Sequence, residues 1–229
     1  MKKMLAALAA TAALTTSTIT ATSADALTRS NASASSLRNG MSVSMNAAWA
    51  RTTMTKLKMA PSGSNAGYSR AQFPHWRDAS VNGWPVAPSN SCDTRAAALY
   101  RDGRMVKVSP KCTNMVGMWT DPYTGSVVLS PSKMQGDHMV PLANAWRSGA
   151  KSWATAKRVQ FANDPLVVVS VLGTANAAKG DKGPEAWKPS NKAAYCAYAE
   201  RWIAVKAKYS LSVNAAERTA LTNMLVGCA

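Results

Sequence analysis

The stretch Gly136-Asp137-His138-Met139-Val140-Pro141 places a carboxylate directly before one of the two histidines in the chain. A carboxylate can ligate a hard cation, and a neutral imidazole can accept a proton from water. Adjacent residues of a regular strand point to opposite faces. If both side chains serve one site, we therefore expect a strand to end, bulge or twist here, as Gly136 and Pro141 favour.

Two asparagines follow this stretch on either side of a predicted buried strand. The aliphatic run over 166–172 predicts the strand; Asn163 precedes it and Asn176 follows it. Hydrolysis of a phosphodiester needs a base for water, a cation that neutralises charge on phosphate, and a group that holds the base in its tautomer. Asp137, His138 and the two amides could supply all three.

The chain is strongly cationic, which fits a phosphate-bearing substrate. Its 27 Lys and Arg residues outnumber 11 Asp and Glu residues, for a formal charge of +16. Such a charge raises the rate of encounter with polyanions. Solubility or adhesion to an anionic cell envelope would require the same charge, so this feature supports phosphate chemistry without establishing it.

The N-terminus has the organisation of a secretory signal. Lys2 and Lys3 precede an apolar run over 4–14, and Ala24-Asp25-Ala26 fits a small-x-small cleavage site. The run is shorter than the roughly 20 residues of a membrane span. We therefore predict a signal peptide over 1–26, a secreted protein and no membrane association after cleavage, with a remaining charge of +15.

Four cysteines in an exported protein indicate two disulfides. Of the three pairings of Cys92, Cys112, Cys196 and Cys228, we favour Cys92–Cys112 with Cys196–Cys228, because each closes a local loop. Loops of this size stabilise the fold by roughly 3 kcal/mol per bridge. A cysteine metal site is disfavoured because the chain has no C-x-x-C pair.

Composition divides the remaining chain into two parts. Residues 27–65 are rich in Ser, Ala, Thr and Asn, and Trp49 is their only aromatic residue. This predicts a flexible linker or pro-region with at most a weak helix over 37–57. Tryptophans become frequent after Gly67, which predicts a packed domain over 66–229.

Periodicity and capping signals predict an α+β domain that is rich in helices toward its C-terminus. The predicted strands are 105–108, 126–129 and 166–172. The predicted helices are 94–101 with Asp93 as N-cap, 142–159, 176–187, 191–209, and a last one that begins at the capping-box pair Asn214 and Glu217.

An ordered series of motifs resembles the HNH nucleases of the ββα-metal class. More narrowly, it resembles the exported bacterial HNH proteins related to the C-terminal nuclease domain of the GmrSD restriction enzymes. The motifs are Gly67-Tyr68-Ser69-Arg70, Cys92-Asp93-Thr94-Arg95, Thr120-Asp121-Pro122-Tyr123-Thr124-Gly125, Asp137-His138-Met139-Val140-Pro141, Phe161-Ala162-Asn163-Asp164-Pro165-Leu166 and Asn176-Ala177-Ala178-Lys179-Gly180-Asp181. An ordered series is more specific than one short motif. The resemblance covers roughly 66–229 and implies a ββα-metal (HNH) core with short β-hairpin elements and several packed C-terminal helices.

The resemblance also implies roles for the central residues. His138 would be the general base that activates water, and Asn163 would orient its ring by a hydrogen bond. Asp137 and Asn176 would ligate one divalent cation, Mg²⁺ in the first place and Mn²⁺ as the alternative. Each could instead be structural: the histidine a buried hydrogen-bonding group, and the others turn or cap residues.

Four cations are candidates for contacts with nucleic acid. Lys179 and Lys182 would touch phosphate near the site, or else be solvated surface charges. Arg70 and Arg95 would bind phosphate, or else hold the N-terminal segment by ion pairs. His75 lies outside the motifs, and we assign it no catalytic role.

The resulting hypothesis is a secreted, metal-dependent endonuclease that hydrolyses nucleic acid without sequence specificity, DNA in preference to RNA. An alternative is a non-catalytic cationic protein that binds DNA or the cell envelope on a degenerate nuclease fold. A third is a toxin domain that needs an immunity protein as partner. The sequence leaves the metal, the strand preference and the oligomeric state open.

Overall fold

The computed structural model describes residues 35, 37–42, 44–85, 88–89 and 91–229. The predicted signal peptide over 1–26 lies outside these residues. Within them, seven α-helices and two small antiparallel sheets form a mixed α+β structure, which confirms the predicted fold class.

The helices are α1 (Ala47–Lys56), α2 (Thr94–Asp102), α3 (Leu142–Arg147), α4 (Thr155–Asn163), α5 (Gly173–Lys179), α6 (Tyr195–Lys208) and α7 (Ala215–Leu225). The strands are β1 (Gly103–Lys107), β2 (Val116–Thr120), β3 (Val127–Val128), β4 (Met134–His138) and β5 (Val168–Leu172). The first sheet has the order β1-β2-β3, and the second pairs β4 with β5.

The second sheet and the helix after it carry the motif around His138. β4 and β5 are antiparallel, with Asp137 opposite Val169 and His138 opposite Val168. β5 is a buried aliphatic strand, and α5 follows it directly. The chain therefore has the strand–strand–helix order of a ββα-metal core, with α3 and α4 inserted between the two strands.

Local capping signals are confirmed where they were predicted. The Asp93 side chain accepts a hydrogen bond from the backbone N–H of Ala96 at the start of α2. At the start of α7, Asn214 and Glu217 make both hydrogen bonds of a capping box. These signals succeed because each depends on residues only three positions apart.

The single helix predicted over 142–159 is wrong. The chain forms α3, a 3₁₀ turn at Ala150–Ser152, and then α4. The Ser148 hydroxyl donates to the carbonyl of Asn144, and Gly149 has a φ of 136°, which a residue with a side chain rarely adopts. The apolar periodicity continues across this break, which is why it suggested one helix.

The helix predicted over 176–187 is also placed differently. α5 begins at Gly173 and ends at Lys179, because Gly180 has a φ of 56° and leaves the helical path. The shift matters for the site, since it puts Asn176 in the middle of the helix rather than at its N-cap. The asparagine side chain is therefore free of a capping role.

The segment 27–65 is predicted to be a flexible linker or pro-region, but its described part packs against the domain. Leu37 and two alanines of α1, Ala47 and Ala50, are fully buried in the main core. α1 packs against α6 and α7, and Arg51 donates to backbone carbonyls near the C-terminus. Small apolar residues suffice because a core already formed by other helices covers them.

Both favoured disulfides are present. Cys92 pairs with Cys112, and Cys196 pairs with Cys228, with Cα–Cα distances of 5.2 and 5.7 Å. The second bridge joins the start of α6 to the C-terminus, beside α1 and α7. Among the helices that the structure describes, none has the length and apolar character that crossing a membrane requires.

Candidate functional site

A cleft of about 390 Å³ opens where the end of β4 faces α5. It brings together four of the predicted site residues, Asp137, His138, Asn176 and Arg70. The start of α3 forms another part of its wall. These four residues therefore line one cleft, and their joint function there stays a prediction.

β4 ends where the sequence required an irregularity. The strand stops at His138, and the next N–H, that of Met139, donates to the carbonyl of Val167. Asp137 and His138 both line the cleft although they are adjacent in the chain. The end of the strand thus lets two neighbouring side chains reach one space.

His138 is buried and held through one ring nitrogen. Its Nε2 lies 2.9 Å from the carbonyl oxygen of Ala162. A carbonyl only accepts, so Nε2 carries the proton and Nδ1 is the free nitrogen of the neutral ring. Burial lowers the pKa of His138 to about 3, so the ring is neutral at pH 7.

Two aromatic rings from one segment enclose His138. Trp76 stacks on the imidazole, with ring centroids 5.4 Å apart and an interplanar angle of 21°. The ring of His75 meets the imidazole edge-on at 5.8 Å. Neither residue is predicted to lie at the site, because nothing in the Phe73-Pro74-His75-Trp76-Arg77 stretch indicates that it lies against β4.

Asp137 is paired with a cation inside the protein. The ammonium of Lys179 lies 3.0 and 2.8 Å from the two carboxylate oxygens and also donates to the carbonyl of His138. The hydroxyl of Tyr123 donates to Asp137 Oδ2 at 2.6 Å. Burial raises the pKa of the Asp137 carboxyl, and the Lys179 ammonium opposes that shift.

This pairing corrects the role predicted for Lys179. Its side chain is fully buried, and its three hydrogen bonds use all the donors of the ammonium. A phosphate of a bound nucleic acid cannot reach it without breaking them. The sequence reading failed because a lysine next to glycine and aspartate is usually solvated.

Asn176 presents an unused oxygen to the cleft. Its Nδ2 donates to Gln135 Oε1 at 3.0 Å, and no described donor approaches its Oδ1. One carboxylate and one amide oxygen suit a hard cation that keeps most of its waters. Within the described chain there is no cluster of three or more His, Cys, Asp or Glu side chains arranged to hold a metal.

The predicted contact between Asn163 and His138 is absent. Asn163 Oδ1 accepts from the N–H of Arg77 and the hydroxyl of Thr94, at 2.8 and 2.9 Å. Its Nδ2 donates to the carbonyls of Pro74 and Val159, at 2.9 and 2.8 Å. All the hydrogen-bonding positions of the amide are used, and none is used by the histidine.

The group that orients His138 is instead the backbone carbonyl of Ala162, one residue before Asn163. The sequence pointed to the neighbouring residue and assigned the contact to its side chain. A backbone carbonyl leaves no mark in the sequence, so only the position of α4 against β4 could reveal it. Asn163 instead binds the backbone on both sides of His75 and Trp76, whose rings contact His138.

The remaining predicted cations differ in their surroundings. Arg70 lines the cleft and is exposed, and its guanidinium has no hydrogen bond or ion pair within the described residues. Arg95 lies outside the cleft and donates to the carbonyl of Met134 at 3.1 Å, so it braces β4. Lys182 is exposed and donates to the carbonyl of Ala178 at 2.8 Å. Arg70 therefore remains the candidate for a phosphate contact in the cleft.

Tyr123 is the clearest residue that the sequence missed. The Asp121-Pro122-Tyr123-Thr124-Gly125 stretch predicted a turn, and the turn is present, with Gly125 N–H donating to the carbonyl of Asp121. The tyrosine itself is fully buried and reaches Asp137. Its place in one of the resembling motifs was the only signal in the sequence.

Comparisons with known proteins identify the family of the chain. Residues 97–224 match the family model of the C-terminal domain of GmrSD restriction endonucleases. An uncharacterised secreted protein of Arthroderma benhamiae is 43% identical over 184 residues, which are 80% of this chain and 86% of the relative. No solved structure matches the chain significantly. The chain therefore belongs to the family of GmrSD restriction endonuclease C-terminal domains, a family of HNH-type nucleases.

Proposed function

We propose that this protein is a secreted, metal-dependent endonuclease that hydrolyses phosphodiester bonds of nucleic acid, DNA in preference to RNA. The observation that carries the proposal is the neutral His138 beside Asp137 and Asn176 in one cleft. Family membership supports a nuclease in general. The base, the metal and the substrate are our assignments.

His138 would accept the proton of the attacking water at Nδ1. Nε2 cannot accept this proton, because it already carries one and donates it to the carbonyl of Ala162. A pKa of about 3 makes the free imidazole a weak base. A phosphodiester anion that enters the cleft favours the imidazolium form and so raises that pKa as the substrate binds.

A divalent cation, Mg²⁺ or Mn²⁺, would be held by the Asp137 carboxylate and the free Asn176 Oδ1. When bound, it would act as a Lewis acid on the phosphate. Lys179 already neutralises the Asp137 charge, so these residues offer little net charge to a free ion. The negative charge of the substrate phosphate would then contribute to holding the cation.

Three donors on another part of the cleft wall would receive the nucleic acid backbone. Arg70, the hydroxyl of Tyr68 and Asn65 Nδ2 line the cleft and have no acceptor among the described residues. Contacts to phosphate position a nucleic acid without reading its sequence. This favours cleavage without sequence specificity.

Secretion is supported by three features. The N-terminus has the pattern of a signal peptide over 1–26, the structure contains two disulfides, and the relative in A. benhamiae is named a secreted protein. An immunity protein would be required only if the enzyme acts against competing cells.

The test is incubation of plasmid with the folded protein in Mg²⁺, Mn²⁺ or EDTA. We expect cleavage with metal, none with EDTA, and a loss of about 10²- to 10⁴-fold in His138→Ala. Lys182→Met removes an exposed cation next to the cleft. It is the control for the effect of surface charge on cleavage. Plasmid that is retained but never cut would favour the non-catalytic binding protein, and equal cutting by His138→Ala would remove the proposed base.

A further inference from the structure

We propose that Trp76 is a positioning residue that holds the imidazole of His138 by stacking on one face of the ring. The inference rests on the proposed function of His138 as the base. Trp76 stacks on the imidazole but is not among the residues that line the cleft. It therefore contacts the proposed base without forming a wall of the cleft.

A glycine in β4 leaves the space that the indole of Trp76 occupies. A Cβ placed on Gly136 would lie 2.6 Å from Cη2 of Trp76, which is too close for two carbon atoms. The glycine two residues before His138 thus leaves the space that the indole occupies. Together with the stack on His138, this contact places the indole flat against the last residues of β4.

The backbone that carries the indole is held in a costly conformation. Trp76 has a φ of 57°, in the left-handed region that bulky residues rarely adopt. Such conformations persist only where the surroundings over-determine them. Asn163 does so here, because it binds the carbonyl of Pro74 and the N–H of Arg77, on the two sides of His75 and Trp76.

His75 completes the enclosure. Its ring meets Trp76 edge-on at 5.0 Å and His138 edge-on at 5.8 Å. Its Nδ1 lies 2.8 Å from the carbonyl of Phe73, which fixes the ring relative to its own segment. The two aromatic side chains therefore move as one unit, tied to α4 through Asn163.

The imidazole is consequently restrained at two places. The carbonyl of Ala162 holds Nε2, and the indole of Trp76 lies along one ring face. The remaining nitrogen, Nδ1, is the one that can take a proton. A general base must stay within hydrogen-bond reach of its water, so loss of the stack should lower kcat and leave KM nearly unchanged.

The test compares Trp76→Leu and Trp76→Phe with wild type, and Trp153→Leu is the matched control. Trp153 packs on Phe161 and Tyr209, away from His138. We expect kcat to fall roughly 10- to 100-fold in Trp76→Leu, with KM within about twofold. Trp76→Phe should restore most of kcat, and Trp153→Leu should keep it.

Gly136→Ala provides a second route that keeps the tryptophan. The added methyl should displace the indole and lower kcat. In the Trp76→Leu background it should add little, because the group that it displaces is gone. Full additivity of the two changes would show that they act separately and would contradict the inference.

A readout without catalysis separates this inference from the proposed function. At one fixed pH, the ring current of Trp76 should shift the carbon-bound protons of His138 upfield in the NMR spectrum, and Trp76→Leu should abolish that shift. With two histidines in the chain, one His138→Ala spectrum assigns the signals. A wild type that cuts no nucleic acid refutes the nuclease proposal and, with it, this role. An active wild type whose Trp76→Leu variant keeps its kcat, or changes only KM, refutes this inference alone.

Discussion

Lys179 Nζ lies 2.8 Å from Asp137 Oδ2, and its side chain has no exposure to solvent. The pair joins the end of β4 to the end of α5, the two elements that form the cleft. A buried ion pair is costly to form, but removal of one partner is costlier still, since the other charge then remains buried alone. The pair therefore fixes the spacing between Asp137 and the helix that carries Asn176.

Replacement of Lys179 by methionine should strongly destabilise the protein. The variant leaves the Asp137 carboxylate buried without its cation, which should lower the free energy of unfolding by about 3–5 kcal/mol. Lys182→Met, three residues away and exposed, should change it by less than about 0.5 kcal/mol. Urea unfolding of the two variants measures the difference. Equal midpoints would show that the pair does not hold the fold.

Tyr123→Phe should lower stability by removing another contact of the Asp137 carboxylate. The change removes the hydroxyl that donates to Asp137 Oδ2 at 2.6 Å. A hydrogen bond to a charged group is worth about 1.5–3 kcal/mol, and we expect a loss of that size in unfolding experiments. Tyr195→Phe, at a half-buried position on α6 with no hydroxyl hydrogen bond in the described structure, is the control. A loss as large in the control would point to ring packing instead.

Replacement of Asn163 should mainly lower stability, whereas replacement of Asn176 should mainly change the metal dependence of cleavage. Asn163→Ala leaves four hydrogen-bonding partners without the amide and should cost more than about 2 kcal/mol of stability. Asn176 makes one side-chain hydrogen bond at the cleft, so Asn176→Ala should cost less than about 1 kcal/mol. The second variant should need more Mg²⁺ for cleavage. If Asn163→Ala is as stable as wild type, the structural role of Asn163 is wrong. If Asn176→Ala has an unchanged Mg²⁺ titration, the metal-binding role of Asn176 is wrong.

Acid should destabilise the protein partly through His138. Burial lowers its pKa from 6.5 to about 3, so between these values the unfolded chain binds a proton that the folded chain does not. The free energy of unfolding should then fall as the pH drops from about 6.5 toward 3, by on the order of a few kcal/mol. His138→Gln should have a shallower dependence, while His75, whose pKa burial also lowers, remains in both proteins. Parallel curves of stability against pH would contradict the lowered pKa.

The segment before the tryptophan-rich region should be required for stability. Leu37 is fully buried against the C-terminal helices, and its truncation to alanine should cost about 2–5 kcal/mol. Leu129 is 70% exposed, so Leu129→Ala should be almost neutral. Thermal unfolding measures both. If Leu37→Ala unfolds at the same temperature as wild type, residues before α1 do not contribute to the core.

Much of the local structure could be predicted because its causes lie close together in the chain. The Asp93 cap, the Asn214 and Glu217 capping box and the aliphatic strand near Val169 each follow from a short pattern. The disulfide pairing followed from loop length in the same way. Where the pattern was ambiguous, as across Gly149, the prediction merged two helices into one.

The sequence indicated some residues of the cleft but not their partners. Asp137, His138 and Asn176 belong to motifs far apart in the chain, and all three line the cleft. The contact predicted for Asn163 belongs to the carbonyl of Ala162, and Lys179, predicted to touch phosphate or solvent, is buried. Both errors concern contacts between elements, which depend on how α4 and α5 pack against the sheet.

By itself, then, the sequence determined the buried strand near Val169, the helix caps, the disulfides and the resemblance to HNH nucleases. Only the tertiary structure decided that Lys179 is buried against Asp137, that Trp76 covers His138, and that the segment around Leu37 belongs to the core. Short-range signals are set by backbone geometry and neighbouring side chains. The pairing of a charge or the stacking of a ring depends on which distant segments exclude water from it, and no local pattern records that.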